Sequence, residues 1–323
     1  MILHRIQLRP RSPWRTPWQA DTLLGLLCVT AARTRGTDFL KDRLLDPMRA
    51  GSPPFVVSDA FPGQLLPFPT VLRVADIPAT ADRKALKRAR WLRRDDFLEA
   101  RAGQVPAFGR WLPDPFQDDL RRHNTLGRDS DSSLEEGGLF ARQERTWTRT
   151  TDPSERSLTI FARVRRDNDL DLLLELLLEL ALTGYGADVA TGRGQFDLLG
   201  DAVPDPELDA PPPGSNGLVC LSTFQPAPGD PTDGFWEAFP KFGKLGPDLG
   251  VADVRVRKHT LILFRPGACF RAAAPRPFLG RELAMDLVLP PQTAETLRQR
   301  GIHILHLVYG LTIPARLPEF PSP

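Results

Sequence analysis

A leucine-rich helix that empties into a glycine-rich loop and then a strand constrains this chain more than any other segment. Over residues 170–183 the acids Asp171, Glu175 and Glu179 recur at four-residue spacing, so they line one side of a helix and leave a wide leucine face. Asn168 or Asp169 can cap its start, and Gly184 supplies its stop. The chain then reads Gly184-Tyr-Gly-Ala-Asp-Val-Ala-Thr-Gly-Arg-Gly-Gln-Phe, and Gln195-Phe-Asp-Leu-Leu follows as a short closing strand. Ahead of the helix, Leu158, Ile160, Ala162 and Val164 alternate with Thr159, Phe161, Arg163 and Arg165. That pattern predicts a half-buried strand with an aromatic and two arginines on an open face.

Working outward, Ile2, His4, Ile6 and Leu8 alternate as an opening strand. A stiff loop with Pro10, Pro13 and Pro17 comes next, and Leu23, Leu24, Leu26, Leu27 and Ala31 then give a helical face up to about Arg35. Residues 139–148 are the expected hairpin partner of 158–165, joined by the turn residues of 150–155. The order strand, helix, strands, helix, strand is that of a β-α-β-β-α-β ferredoxin-like unit, with a large insertion at about 65–135. The proline-rich stretch 203–217 reads as a linker. The expected organisation is therefore α+β: a first domain over 1–202 and a smaller one over 218–323. Candidate strands of the second lie at 217–224, 251–264 and 302–313, and its helices are weakly signalled.

Composition mainly excludes. Cys28, Cys220 and Cys269 are far apart, with no C-x-x-C pair, so neither a zinc ribbon nor a disulfide framework is expected, and no metal or other cofactor is called. The amino-terminus lacks a secretory pattern, and the longest apolar stretch is too short and too acidic to cross a bilayer; a cytoplasmic protein with no membrane partner is expected. A net charge of +2 is silent about polyanions. Locally, Arg83, Lys84, Lys87, Arg88, Arg90, Arg93, Arg94 and Arg101 cluster, and arginine outnumbers lysine throughout. Its planar fork suits phosphate and stacking contacts, although codon usage accounts for the excess equally well.

Glycine lets the 184–194 loop approach a ligand closely, so that exposed amides could hold phosphates while Tyr185 and Arg193 stack or pair. The loop is not a Walker motif, which needs a Lys and a Ser or Thr followed by a helix. Nor is it a dinucleotide fingerprint, since it follows a helix. A plain surface loop is the competing reading.

This loop resembles the glycine-rich loop of the RAMP superfamily of CRISPR systems. Pro54-Phe-Val-Val-Ser-Asp-Ala-Phe-Pro, His123-Asn-Thr-Leu-Gly-Arg followed by Gly138-Leu-Phe, and Leu221-Ser-Thr-Phe-Gln-Pro narrow the resemblance to the handle-binding subunits of type III-A CRISPR-Csm complexes. Lys241-Phe-Gly-Lys, Leu263-Phe-Arg-Pro-Gly and His306-Leu-Val-Tyr-Gly-Leu-Thr-Ile-Pro extend it to the end of the chain. The loop departs from that family at Ala187-Asp188-Val189, where lysine is more usual.

The resemblance implies two ferredoxin-like (RRM-like, RAMP) domains and a non-catalytic subunit of antiviral defence that binds the 5′ handle of the CRISPR RNA. It also implies contacts with the large polymerase-nuclease subunit and a backbone RAMP subunit. Carried over, Gly184, Tyr185, Gly186, Thr191, Gly192, Arg193 and Gly194 would lie against the handle, with His123, Asn124 and Thr125 nearby and Arg128 on a covering loop. Trp14 and Arg15 join them as candidates, because the 12–18 loop falls at the same sheet end; Trp18 reads rather as packing.

Two alternatives stand beside this. One is metal-independent RNA cleavage through His123, the one histidine in a polar motif; His303 and His306 fall on opposite faces of a strand. The other is a structural adaptor that contacts only proteins. Asp59 reads as a loop or turn residue without a second carboxylate to share a metal.

Overall fold

The structure, a computed structural model, describes residues 1–73, 84, 88–106, 110–124, 138–243 and 258–318. The first half runs β1 (Ile2–Pro10), α1 (Ala20–Arg35), β2 (Phe55–Pro62), α2 (Arg94–Arg101), β3 (Phe116–Asn124), β4 (Leu139–Trp147), β5 (Leu158–Val164), α3 (Asp167–Thr183), β6 (Phe196–Pro204) and α4 (Pro206–Asp209). Four of these strands form one antiparallel sheet in the order β2-β5-β1-β6. Leu23, Leu24, Leu27 and Ala31 of α1, with Leu173, Leu176, Leu177 and Leu180 of α3, pack into its core, as their helical spacing predicts.

Three expectations are corrected. The 139–148 and 158–165 runs are not a hairpin: β4 pairs with β3, and β5 lies between β1 and β2. The second strand of the sheet is thus β2, every residue of which is buried, whereas β4 alternates with exposed positions. A strand covered on both faces shows no polar alternation, which is why periodicity passed it over. Second, the open face foreseen on β5 is closed, since Phe161 and Arg163 are buried. Arg163 donates to Thr312 O at 2.9 Å and pairs with Asp209 at 2.5 Å. Third, Asp59 is a strand residue at a β-bulge, where the β2–β5 register shifts between Val57 and Ala60.

In the second half, β7 (Gly217–Cys220), β8 (Gly234–Phe235), β9 (Ala238–Lys241), β10 (Leu261–Phe264), β11 (Cys269–Arg271), β12 (Phe278–Leu283), α5 (Pro291–Gln299) and β13 (His306–Ala315) follow. They give a five-stranded sheet, β8-β11-β7-β13-β12, and a separate β9–β10 pair. Alternate residues of β13, Leu307, Tyr309, Leu311, Ile313 and Ala315, belong to the same core as β1, β2 and β5. Between the halves, Asp205 caps α4 by accepting from Leu208 N, and Leu208 is fully buried. Part of the basic stretch is likewise used internally: Arg94 pairs with Asp205 at 2.6 Å, and Arg101 donates to the carbonyls of Glu207, Leu208 and Pro314.

The bulge lets Asp59 reach both halves. Its carboxylate accepts from Ala20 N at the start of α1 (2.8 Å) and from Thr223 N (2.6 Å) and Thr223 Oγ1 (2.7 Å). Burial outweighs these donors and pushes the carboxyl up to about 6. A raised folded-state pKa means that stability falls as pH rises from about 4 to about 6, and the penalty of about 2–3 kcal/mol then persists. Asp59→Asn keeps an acceptor for both N–H groups while the Thr223 hydroxyl can reverse. It is expected to be neutral or stabilising at pH 7.5 and to flatten the pH 4–6 slope in urea titrations. A destabilised variant with an unchanged slope would contradict this.

Candidate functional site

Three segments converge at one end of the first sheet: the 12–18 loop, the glycine-rich loop and the β3–β4 ladder. The sequence placed the first two at a shared sheet end, and hydrogen bonds join them. Gly194 N donates to Pro13 O (2.9 Å), Gln195 N to Ser12 Oγ (3.0 Å) and Ala187 N to Thr16 Oγ1 (2.9 Å). The same 12–18 loop extends the ladder, through Trp14 N to Arg145 O (3.0 Å) and Arg145 N to Trp14 O (2.7 Å).

The glycine loop has a buried base and an exposed tip. Tyr185 is fully buried and stacks 3.9 Å from Trp18, while its hydroxyl donates to Pro17 O (2.8 Å) and accepts from Gln19 N (3.1 Å). Gly194 carries a positive φ of 69°, and a Cβ there would sit 2.0 Å from Tyr185 O, so only glycine fits. At the tip, a single turn over Val189–Thr191 is flanked by left-handed Asp188 and Gly192. Ala187, Ala190, Thr191 and Gly192 are exposed, and a Cβ on Gly192 would meet nothing within 4 Å.

Charge gathers around this tip. Arg15 and Arg142 both pair with Asp188 Oδ2, at 2.5 and 2.7 Å. Partial burial pushes that carboxyl up, but the two guanidiniums win and hold it below the usual carboxylate range. Deeper, Glu144 of β4 pairs with Arg193 at 2.7 Å, with Arg121 and His123 Nε2 each 4.0 Å away. The His123 ring stacks on Phe140, and Arg142 lies over the same ring at 4.9 Å. Four arginines and a histidine thus surround two carboxylates, leaving a basic surface beside aromatic rings. Beyond Trp18 opens a cleft of about 390 Å³ lined by aromatic rings such as Trp91 and Phe116 and by Arg90, Arg145 and Arg265, which pair there with Glu237 and Asp114.

Of the residues singled out from sequence, the glycine loop, Arg15 and His123 come together, and Asn124 ends β3 beside them. Thr125 and Arg128 lie outside the described residues. Others change role. Trp14 is 2% exposed and packs edge-on against Phe116 and Trp147, so it braces the ladder and presents no stacking face. Tyr185 anchors the loop base from inside. Arg193 is committed to a buried carboxylate. The amides of Thr191, Gly192 and Arg193 are spent on turn bonds within the loop and that of Gly194 on Pro13 O, so the guanidiniums of Arg15 and Arg142 are the charged donors at the tip. Sequence reasoning missed Arg121, Arg142, Glu144 and Asp188 as site residues. The alternation of Phe140, Arg142 and Glu144 on one face of β4 was the available signal.

Among the described residues, no group of three or more His, Cys, Asp or Glu side chains could hold a metal ion, and no helix is long and apolar enough to cross a membrane.

No family model and no curated protein matches the chain by sequence. Solved structures do match, from end to end. A chain of the Csm1-Csm4 cassette in complex with pppApA aligns over 99% of this chain and 100% of its own length, with a TM-score of 0.62 and 19% identity. A chain of the same cassette in complex with cA4 gives 98%, 100%, 0.58 and 20%. A chain of the Csm3-Csm4 subcomplex of the type III-A CRISPR-Cas interference complex gives 97%, 99%, 0.60 and 9%. At these identities the likeness is one of fold.

Proposed function

We propose that this chain is a non-catalytic RNA-binding subunit of a type III-A CRISPR interference complex, occupying the position of Csm4, the component common to both matched assemblies. The end-to-end fold match carries the reading, and the arginine-lined loop supports it. In this role the chain anchors the 5′ handle of the CRISPR RNA and docks a large Csm1-type subunit and a Csm3-type backbone subunit. In this reading 1–202 is a ferredoxin-like first domain, which the strand order β2-β5-β1-β6 supports. We read 218–323 as a second such domain reached through 203–217.

The chemistry fits single-stranded RNA. Arg15, Arg121 and Arg142 are partly exposed and offer charged forks to phosphates, and stacking on aromatics or guanidinium planes contributes about 1–3 kcal/mol per base. Each phosphate contact should add about 0.7 to the slope of log affinity against log salt. Gly192→Asp combined with Arg121→Gln puts an acid on the open tip and removes one fork without touching the buried base. Filter binding to handle RNA should weaken at least about tenfold with the melting temperature little changed. Unaltered affinity would remove this site from the account.

The competing reading is RNA cleavage through His123, whose Nε2 makes no hydrogen bond among the described residues and lies 4.0 Å from Glu144 Oε1. Incubation of labelled repeat RNA with the protein in EDTA is expected to leave it intact. Cleavage abolished by His123→Ala would establish the enzyme instead.

A further inference from the structure

We infer that Asp188 is a built-in competitor for RNA phosphate: its carboxylate occupies the place between the Arg15 and Arg142 guanidiniums that a backbone phosphate would take, and bound RNA displaces it. The inference rests on the RNA-binding reading above and names a residue that tunes it.

The geometry distinguishes this acid from an ordinary surface partner. Both guanidiniums reach the same oxygen, Oδ2, at 2.5 and 2.7 Å, although they come from two segments far apart in the chain. Each guanidinium gives one N–H, from its Nη1, to that oxygen, and two charge-assisted donors meeting at one point suit a phosphate oxygen equally well. Asp188 is also the only non-glycine residue among the described ones with a positive φ, 63°. Such conformations persist where surrounding structure enforces them, and they gather at ligand sites. The side chains involved are 20–34% exposed, so a strand lying over the tip can reach them. Glu144 differs, being 6% exposed and paired with Arg193, itself 14% exposed. That pair braces the loop, and Asp188 is the displaceable one.

An acid in this place lowers affinity for every polyanion and thereby disfavours strands that offer nothing beyond charge. Asp188→Asn preserves shape and tolerates the left-handed backbone, and Asp188→Gly relaxes that backbone altogether. The probes are a 20-nucleotide poly-uridine RNA and the handle RNA, titrated against the full chain at several salt concentrations. Both variants are expected to bind poly-uridine at least about tenfold more tightly than the parent, with a steeper salt dependence approaching two further phosphate contacts. Adding Arg15→Gln should reverse the gain. Unchanged or weaker binding by folded variants, when the parent does bind handle RNA, overturns this inference alone and leaves Asp188 as a brace. A parent chain that binds neither RNA overturns the RNA-binding reading with it.

Discussion

Asp21→Ala is expected to cost about 3–5 kcal/mol, because it strips a buried carboxylate from Lys241 and His306, which stay behind. Asp21 sits in the first turn of α1 with its side chain 1% exposed. Lys241 Nζ lies 2.7 Å from Oδ1 and His306 Nε2 2.8 Å from Oδ2, while Lys258 Nζ lies 3.3 Å from His306 Nδ1. Burial pushes His306 down, as does Lys258, while the hydrogen bond to Asp21 pulls it up; a neutral ring carrying its proton on Nε2 would donate to Asp21 and accept from Lys258. Burial alone would raise Asp21, yet the His306 hydrogen bond and the Lys241 charge bring it to about 2. A folded-state pKa lowered from 3.8 gives stability that is present above about pH 4 and is lost as pH falls toward 2, an effect of about 2–3 kcal/mol. Urea unfolding should therefore show a lower midpoint for the variant at pH 7 with little change in slope, and a gap from the parent that narrows below pH 4. A variant as stable as the parent at pH 7 would show that the network contributes nothing.

Gly194→Ala should be nearly as damaging, at about 3 kcal/mol or more. The left-handed backbone costs an alanine about 1–2 kcal/mol, and its Cβ would overlap Tyr185 O at 2.0 Å, adding about 1–3 kcal/mol of strain. The displaced segment carries the Tyr185–Trp18 stack, so tryptophan fluorescence should change, and under the proposed RNA-binding role handle binding should fall with it. Gly192→Ala is the control. Its φ is also positive, but its Cβ would meet open space, so about 1–2 kcal/mol of backbone strain is the whole cost. Equal losses at the two glycines would show that the overlap at 194 is relieved at little cost.

Helices α1 and α3 are legible in the sequence because both rest on apolar residues at helical spacing with one face covered, a pattern that survives in linear order. Strand β2 hid because both its faces are covered, and its two polar residues looked like a turn. Ser58 and Asp59 in fact mark a bulge whose hydrogen bonds go to Phe161 N, Ala20 N and Thr223 N, contacts that no local pattern announces. At the site, glycine spacing revealed where the loop lies but not which parts of it face inward. Tyr185 and Trp14 carry the chemistry of base stacking, and tertiary packing turned both into struts. Arg142 and Asp188 escaped notice for a related reason, since they meet across 46 positions of chain.

The way β13 shares its odd-numbered side chains with the first sheet has a mechanical outcome. An apolar seam reinforced by Asp21–His306, Asp59–Thr223 and Arg163–Thr312 joins the halves among the described residues. A displacement of the carboxy-terminal sheet is therefore passed through these contacts to the sheet that carries the glycine-rich loop.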